Sequence, residues 1–329
     1  MKKPNLRNLL VVLASALWLM ACTPAATPTR ALTPVTMQLR WTHNAQFAGF
    51  YAADQKGYYA AEGLAVTFVE SSGNDDFIQQ VLASKAQFGI ANADGLVLAR
   101  AENKPARAIA TIYRRSPLVF LTLAESGITK PQDFVGKRIR AVPASTPILH
   151  TMLARVGIAP NQYIEVNVAA TLPPLYSGEV QVSAGFVTNE VLVAQAAGYN
   201  LNIIYPDDYG IHFYADTLFT TDDLIAKNPD LARRFLRATL KGWAYAIENS
   251  AQVGALVQKY NPKADVTLEN QKMTASIPLV NTGEDFIGWM KPEIWVGMEK
   301  TMREQNVLTQ PVDVNQVYTM QFLQEIYGK

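Results

Sequence analysis

Short β-forming runs and stretches of helical periodicity take turns along residues 35–205 of this chain. The pattern argues for strands laid in largely parallel sheets with helices on their faces, an α/β architecture. Residues 35–41 read as a first strand, and an apolar-faced helix over 47–56 follows, stopped by Gly57. Next come a strand over 64–69, a loop over 71–74, a helix over 75–83 with an acidic first turn, a strand over 88–91 and a helix over 94–102. Strands over 108–113 and 119–123 close this part. The unit then restarts with a turn over 130–134, a strand over 138–142, a helix over 147–156, strands over 165–168 and 180–186, a helix over 192–197 and a strand over 201–205. From Thr221 helices dominate: 222–227, 229–249, 251–260, 268–277, 292–304 and 314–326, with Pro229 at a favoured first position. No fixed-period repeat is visible, which disfavours a solenoid or propeller.

Two α/β units followed by helices predict two lobes. Residues 116–213 form one lobe, and residues 35–115 with 214–329 form the other. The chain then crosses between lobes near 114–116 and again near 207–213. With 49% hydrophobic residues there is material for two cores. In such folds ligands sit outside the carboxyl ends of the strands, here in the cleft between lobes.

The first 21 residues stand apart from this pattern. Lys2, Lys3 and Arg7 precede an apolar run over 9–20 that is too short to span a bilayer as a helix, the layout of a secretory signal. Leu19-Met20-Ala21-Cys22 fits a lipobox, with Cys22 as the lipidated thiol. Cys22 is the only cysteine, so an internal disulfide is impossible. Residues 22–34, with prolines at 24, 28 and 34, read as a tether. The expected location is therefore the cell membrane, lipid-anchored and facing the extracytoplasmic side. Twenty-nine basic against 28 acidic residues leave a net charge of +1 and no basic stripe, so no nucleic-acid partner is expected. The three histidines, His43, His150 and His212, lack metal-ligand spacing, and no metal or other cofactor is expected.

Several segments together resemble one family. They are Leu39-Arg40-Trp41 leading into 44–51, Lys56-Gly57-Tyr58-Tyr59 through Leu64, Phe88-Gly89-Ile90-Ala91, Leu98-Ala99-Arg100-Ala101, Ser126-Gly127-Ile128 with Pro131 and Gly136-Lys137, and 185–190. Asp208-Tyr209-Gly210, Leu218-Phe219-Thr220-Thr221 and Gly242-Trp243-Ala244-Tyr245 continue it. The chain resembles the substrate-binding proteins related to thiamine-pyrimidine synthases, the NMT-like group of ABC importer receptors. The resemblance spans essentially all of the chain after the tether. It implies a two-lobe periplasmic-binding-protein fold of type II, a small-molecule ligand, an ABC permease as membrane partner and a monomer. Known members bind riboflavin or the formylated aminopyrimidine precursor of thiamine.

Both ligands carry a flat ring with a polar edge, which calls for aromatic faces and a few hydrogen-bonding groups. Trp41, Asn44, Phe47 and Tyr51 are candidates from the first loop, Trp41 being open to a plain core role as well. Glu190 sits where relatives place an acidic residue facing the ring, and its carboxylate can accept from ring N–H groups. It also suits a helix start. Phe186 and Asn189 lie beside it. Asn92 and Asp94 follow the 88–91 strand and either line the cleft or cap the next helix, capping being favoured for Asp94. Ser145 and Thr146 either cap a helix or join its N–H groups in holding a ligand oxygen. Phosphate-binding members carry a glycine-rich loop there; residues 142–147 contain no glycine, which disfavours a phosphorylated ligand. Tyr113 at the first crossover, and Tyr209 and Phe213 at the second, complete the set. That aromatic crowding leans towards the larger flavin ring.

An enzyme reading has less to stand on. The family's synthases use lysine and histidine with cysteine-rich iron chemistry, and here the single cysteine is taken by lipid. Neither a nucleophile elbow nor a P-loop is present. The expected function is an importer receptor for a neutral heteroaromatic vitamin, with riboflavin first and the formylated aminopyrimidine second. A secreted enzyme of the same fold is the alternative of another class.

Overall fold

Strand formation begins with Thr33–Gln38 (β1), two residues inside the segment expected to be tether. The computed structural model describes residues 31–71, 76–142, 145–169 and 171–329. The signal expectation over 1–21, Cys22, the tether up to residue 30 and all but Ser71 of the 71–74 loop lie outside them. Every element below belongs to one unit, residues 33–329.

After β1 come the helices Ala48–Gln55 (α1) and Tyr58–Ala61 (α2), then β2 (Leu64–Val69), α3 (Phe77–Leu82), β3 (Phe88–Asn92), α4 (Ala93–Ala101) and β4 (Ala106–Thr111). The second series is β5 (Leu118–Leu123), β6 (Arg138–Arg140), α5 (Thr146–Arg155), β7 (Ile164–Val166), α6 (Pro173–Tyr176), β8 (Val182–Phe186), α7 (Glu190–Ala196) and β9 (Leu201–Ile204). The chain returns through β10 (Asp216–Thr221) into α8 (Asp222–Lys227), α9 (Pro229–Glu248), α10 (Val253–Gln258), α11 (Val266–Val280), α12 (Pro292–Glu304) and α13 (Gln321–Tyr327).

Two five-stranded sheets result, ordered β2-β1-β3-β10-β4 and β7-β6-β8-β5-β9. The chain passes between them over residues 112–117 and 205–215. The sheets are mixed: in each, four strands run one way, the largely parallel arrangement expected, and one runs against them. β10 runs antiparallel to both β3 and β4, and β5 runs antiparallel to both β8 and β9. The cause is topological: each is the first strand after a crossover and enters its sheet from the opposite end. Pro34 is tolerated in β1 because its half of the strand pairs with β2 alone. Its neighbours Thr33 and Val35 face β2, and the missing N–H falls on the unpaired side. The helix expected over 314–326 is broken. A single 3₁₀ turn over Val314–Gln316 is capped by Asp313, and α13 starts only at Gln321.

β5 is buried on both faces. Phe120 joins the large core that runs through both sheets, while Val119 and Leu121 pack with Leu172, Leu175 and Val191 on the far side. Asn228 caps α9 by accepting from the Leu231 N–H, with Pro229 at its first position. This helix buries Phe235, Leu236 and Trp243 against α1 and the first sheet. No helix among the described residues is long and apolar enough to cross a membrane.

Candidate functional site

The carboxyl ends of β1, β6 and β8 converge on one cavity, where an α/β fold presents its ligand crevice. Its wall comprises Arg40, Trp41, Gln46, Leu118, Arg140, Val142, Ala184, Gly185, Phe186, Asn189 and Glu190, drawn from both sheets. The space in and before it, open solvent included, is about 550 Å³.

From the first sheet, Arg40 donates Nη1–H to Asp216 Oδ1 at 2.9 Å, and Gln46 Nε2 donates to Asp216 Oδ2 at 2.6 Å. Burial pushes the Asp216 carboxyl up, and the Arg40 guanidinium and the Gln46 bond oppose that rise. From the second sheet, Arg140 donates from Nε to Ser183 Oγ at 2.8 Å, from Nη1 to the Ala169 carbonyl at 3.3 Å and from Nη2 to the Ala184 carbonyl. Burial lowers its pKa, and the Glu190 carboxylate counters that. Glu190 opens α7. Its Oε2 accepts the Phe186 backbone N–H at 2.6 Å, and its Oε1 accepts from Asn189 Nδ2 at 2.8 Å. This fold-back needs Gly185, because a Cβ there would meet the Glu190 Cβ at 2.9 Å. The Arg40 guanidinium carbon lies 5.5 Å from the centre of the Phe186 ring, a cation–π contact between the two lobes.

Of the residues expected from sequence, Trp41, Phe186, Asn189 and Glu190 are brought together on this wall. The others are placed elsewhere. Asn44 caps a 3₁₀ turn by accepting from the Gln46 N–H at 2.7 Å. Phe47 is fully buried in the core. Tyr51 is buried too: it stacks on Tyr260 with ring centres 4.4 Å apart, and its hydroxyl meets His43 Nδ1 at 2.7 Å. Tyr113 is buried and donates to Ser276 Oγ at 2.9 Å. Asn92 stands at the N-cap position of α4, and Asp94 lies buried in that helix's first turn, making the latter a helix-start carboxylate rather than the cap. Ser145 and Thr146 turn their hydroxyls back onto Val142, at 3.1 and 3.2 Å to its carbonyl. Tyr209 is half-buried on the second crossover, where its carbonyl accepts from Arg155. Phe213 is buried beside a separate cleft that Arg114, His212 and Lys291 also line.

The wall residues Arg40, Gln46, Leu118, Arg140, Val142, Ala184 and Gly185 were not expected from sequence as ligand contacts. Arg40 adjoins Trp41, and that adjacency was the available signal. Arg140 lies inside an expected strand, where a charged residue between Ile139 and Ala141 is a polar anomaly. The histidines all sit away from this wall: His150 pairs with Glu165 and His212 with Asp207. Among the described residues, no group of three histidine, cysteine or acidic side chains is placed to hold a metal ion.

A family model described as NMT1/THI5 like matches residues 44–253. Riboflavin-binding protein RibY of Chloroflexus aurantiacus is 28% identical, over 92% of this chain and 91% of that protein. A formylaminopyrimidine-binding protein of Halalkalibacterium halodurans is 25% identical, over 93% and 96%. Among enzymes, a 4-amino-5-hydroxymethyl-2-methylpyrimidine phosphate synthase of Legionella pneumophila is 24% identical, over 88% and 92%. The periplasmic aliphatic sulphonate-binding protein SsuA of Escherichia coli superposes with a TM-score of 0.68 at 14% identity, covering 88% of this chain and 92% of that one. The two-lobe fold is thus that of the periplasmic binding proteins.

Proposed function

The chain belongs to the NMT1/THI5-like family, and we propose that it is the ligand-capturing receptor of an ABC importer with riboflavin as its first-choice cargo. It would act at the outer face of the cell membrane, held there by lipid on Cys22. The observation that carries this reading is the two-sided cavity. Trp41 from one lobe and Phe186 from the other offer ring faces, and Arg40, Arg140, Asn189 and Glu190 offer edge groups. A flat heteroaromatic ring buried there stacks on the aromatics, and its polar edge meets donors and an acceptor. The two crossover segments serve as the hinge, so binding draws the lobes together and the closed form docks on the permease.

A binding role is supported by the relatives matched over nine-tenths of the chain that are named as riboflavin- and formylaminopyrimidine-binding proteins. The formylated aminopyrimidine is the second reading. Glu190 supports it, since a carboxylate accepts readily from an amino group and a ring N–H, as does the 25% relative that is named for that ligand.

Titration of the full chain with each ligand tests the reading. Riboflavin stacked on Trp41 or Phe186 loses much of its green emission. A ligand at about 100 times its dissociation constant stabilises the fold by about 2.7 kcal/mol, read as a rise in Tm. If only the pyrimidine shifts the melt, the receptor reading stands and the cargo changes. If neither ligand shifts it, the vitamin-receptor reading fails.

A further inference from the structure

Arg40 is tied down and yet has donors to spare. Its side chain is only 10% exposed. Nη1 is spent on Asp216, whose other oxygen is taken by Gln46. Nε is buried without a hydrogen-bond partner, and no partner among the described residues engages Nη2. A guanidinium carries five N–H donors in one rigid plane, and a buried donor left unmade is costly. Here the plane is held by Asp216 on one edge and by the Phe186 ring across the cleft. Holding a donor so firmly at a cavity wall reduces the ordering cost of binding whatever accepts from it.

The charge balance narrows what that acceptor is. Asp216 neutralises Arg40 from behind the wall, and Glu190 on the wall offsets Arg140, so each guanidinium has its own carboxylate. An anionic ligand would meet the Glu190 carboxylate and a guanidinium already neutralised, whereas a neutral acceptor gains the free N–H groups without that repulsion. A carbonyl oxygen on a ring takes two in-plane N–H bonds. An aminopyrimidine ring instead offers nitrogens with one lone pair each, one of them flanked by an amino group that faces the guanidinium donor to donor, and a formylated one carries its carbonyl off the ring.

We propose that Arg40 is the specificity-determining donor of the cavity, binding a ring carbonyl oxygen and so selecting neutral heteroaromatics with a dione edge, such as a flavin's, over aminopyrimidines. Asp216 and Gln46 are its positioning residues. This rests on the receptor reading above and deepens it from a flat vitamin to a carbonyl-bearing one.

A double-mutant cycle between protein and ligand tests it. Wild type and Arg40→Lys, both as full chains, are titrated with riboflavin and with its 2-thio and 4-thio analogues, in which sulfur replaces one ring carbonyl oxygen. Lysine keeps a positive charge beside Asp216 but loses the planar fork. The expected result is a loss of about tenfold or more in riboflavin affinity on Arg40→Lys, the scale of one charge-assisted hydrogen bond. One thio analogue should lose as much in wild type and lose little more in the variant. Additive losses for both analogues, or riboflavin bound equally by wild type and variant, would overturn the assignment while leaving the receptor reading intact. Displacement of riboflavin by inorganic phosphate would overturn it as well. If Arg40→Lys does not fold, wild type alone decides: thio analogues bound as tightly as riboflavin sink the carbonyl contact. Binding of formylaminopyrimidine without riboflavin also overturns the assignment and spares the receptor reading, and binding of neither ligand removes both.

Discussion

Asp94 lies in the first turn of α4 with its side chain almost wholly out of solvent, and its Oδ1 has no hydrogen-bond partner. Burial pushes its carboxyl up to about 6, against weaker lowering by the Gly95 backbone N–H and by Arg40. The folded pKa lies above the ordinary 3.8, so the fold favours the neutral acid. That contribution to stability is full below about pH 4 and is lost as pH rises through 6. Asp94→Asn keeps the shape and removes the charge. It should raise the free energy of unfolding by on the order of 2–3 kcal/mol at pH 8 and leave it nearly unchanged at pH 4. Urea unfolding at pH 4, 6 and 8 measures this, and an equal change at all three values would contradict it. From sequence Asp94 read as a helix cap, a role its position in the chain makes reasonable. Its burial and its nearness to Arg40 come from residues that the alternating pattern does not connect.

At the scale of elements, α1 and α9 approach so closely that each must present a glycine. A Cβ on Gly242 would meet the Gly49 carbonyl and Ala53, and a Cβ on Gly49 would run into the Trp243 ring. Gly242→Ala should therefore destabilise the protein by roughly 2–4 kcal/mol through overpacking, despite the gain of about 1 kcal/mol that alanine brings to a helix interior. A thermal melt that moved upward would refute the close-approach argument. Both helices were legible in the sequence because their apolar period and the Gly57 and Pro229 boundary signals are local. The need for glycine at the crossing was not, since the colliding atoms are nearly two hundred residues apart. β10 shows the same limit. Its six residues lie inside the first sheet, between β3 and the edge strand β4, yet nothing in Asp216-Thr217-Leu218-Phe219-Thr220-Thr221 announces an antiparallel interior strand.

Across the whole molecule, one buried cluster runs through both lobes. It includes Phe120, Phe134 and Leu149 from the second and Met37, Phe88 and Trp243 from the first. Arg155 adds a polar tie, donating from α5 to the carbonyls of Tyr209 and Gly210 and to Thr301 on α12. Lobes that share a core should melt together. Calorimetry of the full chain should give a single transition with calorimetric and van't Hoff enthalpies in agreement, and two resolved transitions would mean that the lobes unfold independently.

What the chain determined by itself is what neighbouring residues settle among themselves: the α/β alternation, the helix caps and stops, and Glu190 beside Phe186 and Asn189 at the end of a strand. The alternation, caps and stops follow from periodicity and short-range hydrogen bonding, which a sequence displays directly, and Glu190 from the family resemblance of residues 185–190. What only the tertiary structure decided is which distant groups meet. Sheet order, the antiparallel return of β10, and the pairing of Arg40 with an aspartate 176 positions away arise when strands pair across crossovers. The energy of such contacts depends on shape and burial in three dimensions, and no local pattern carries that information. Hence the aromatic and acidic side of the cavity could be named in advance, whereas the arginine proposed to select its ligand could not.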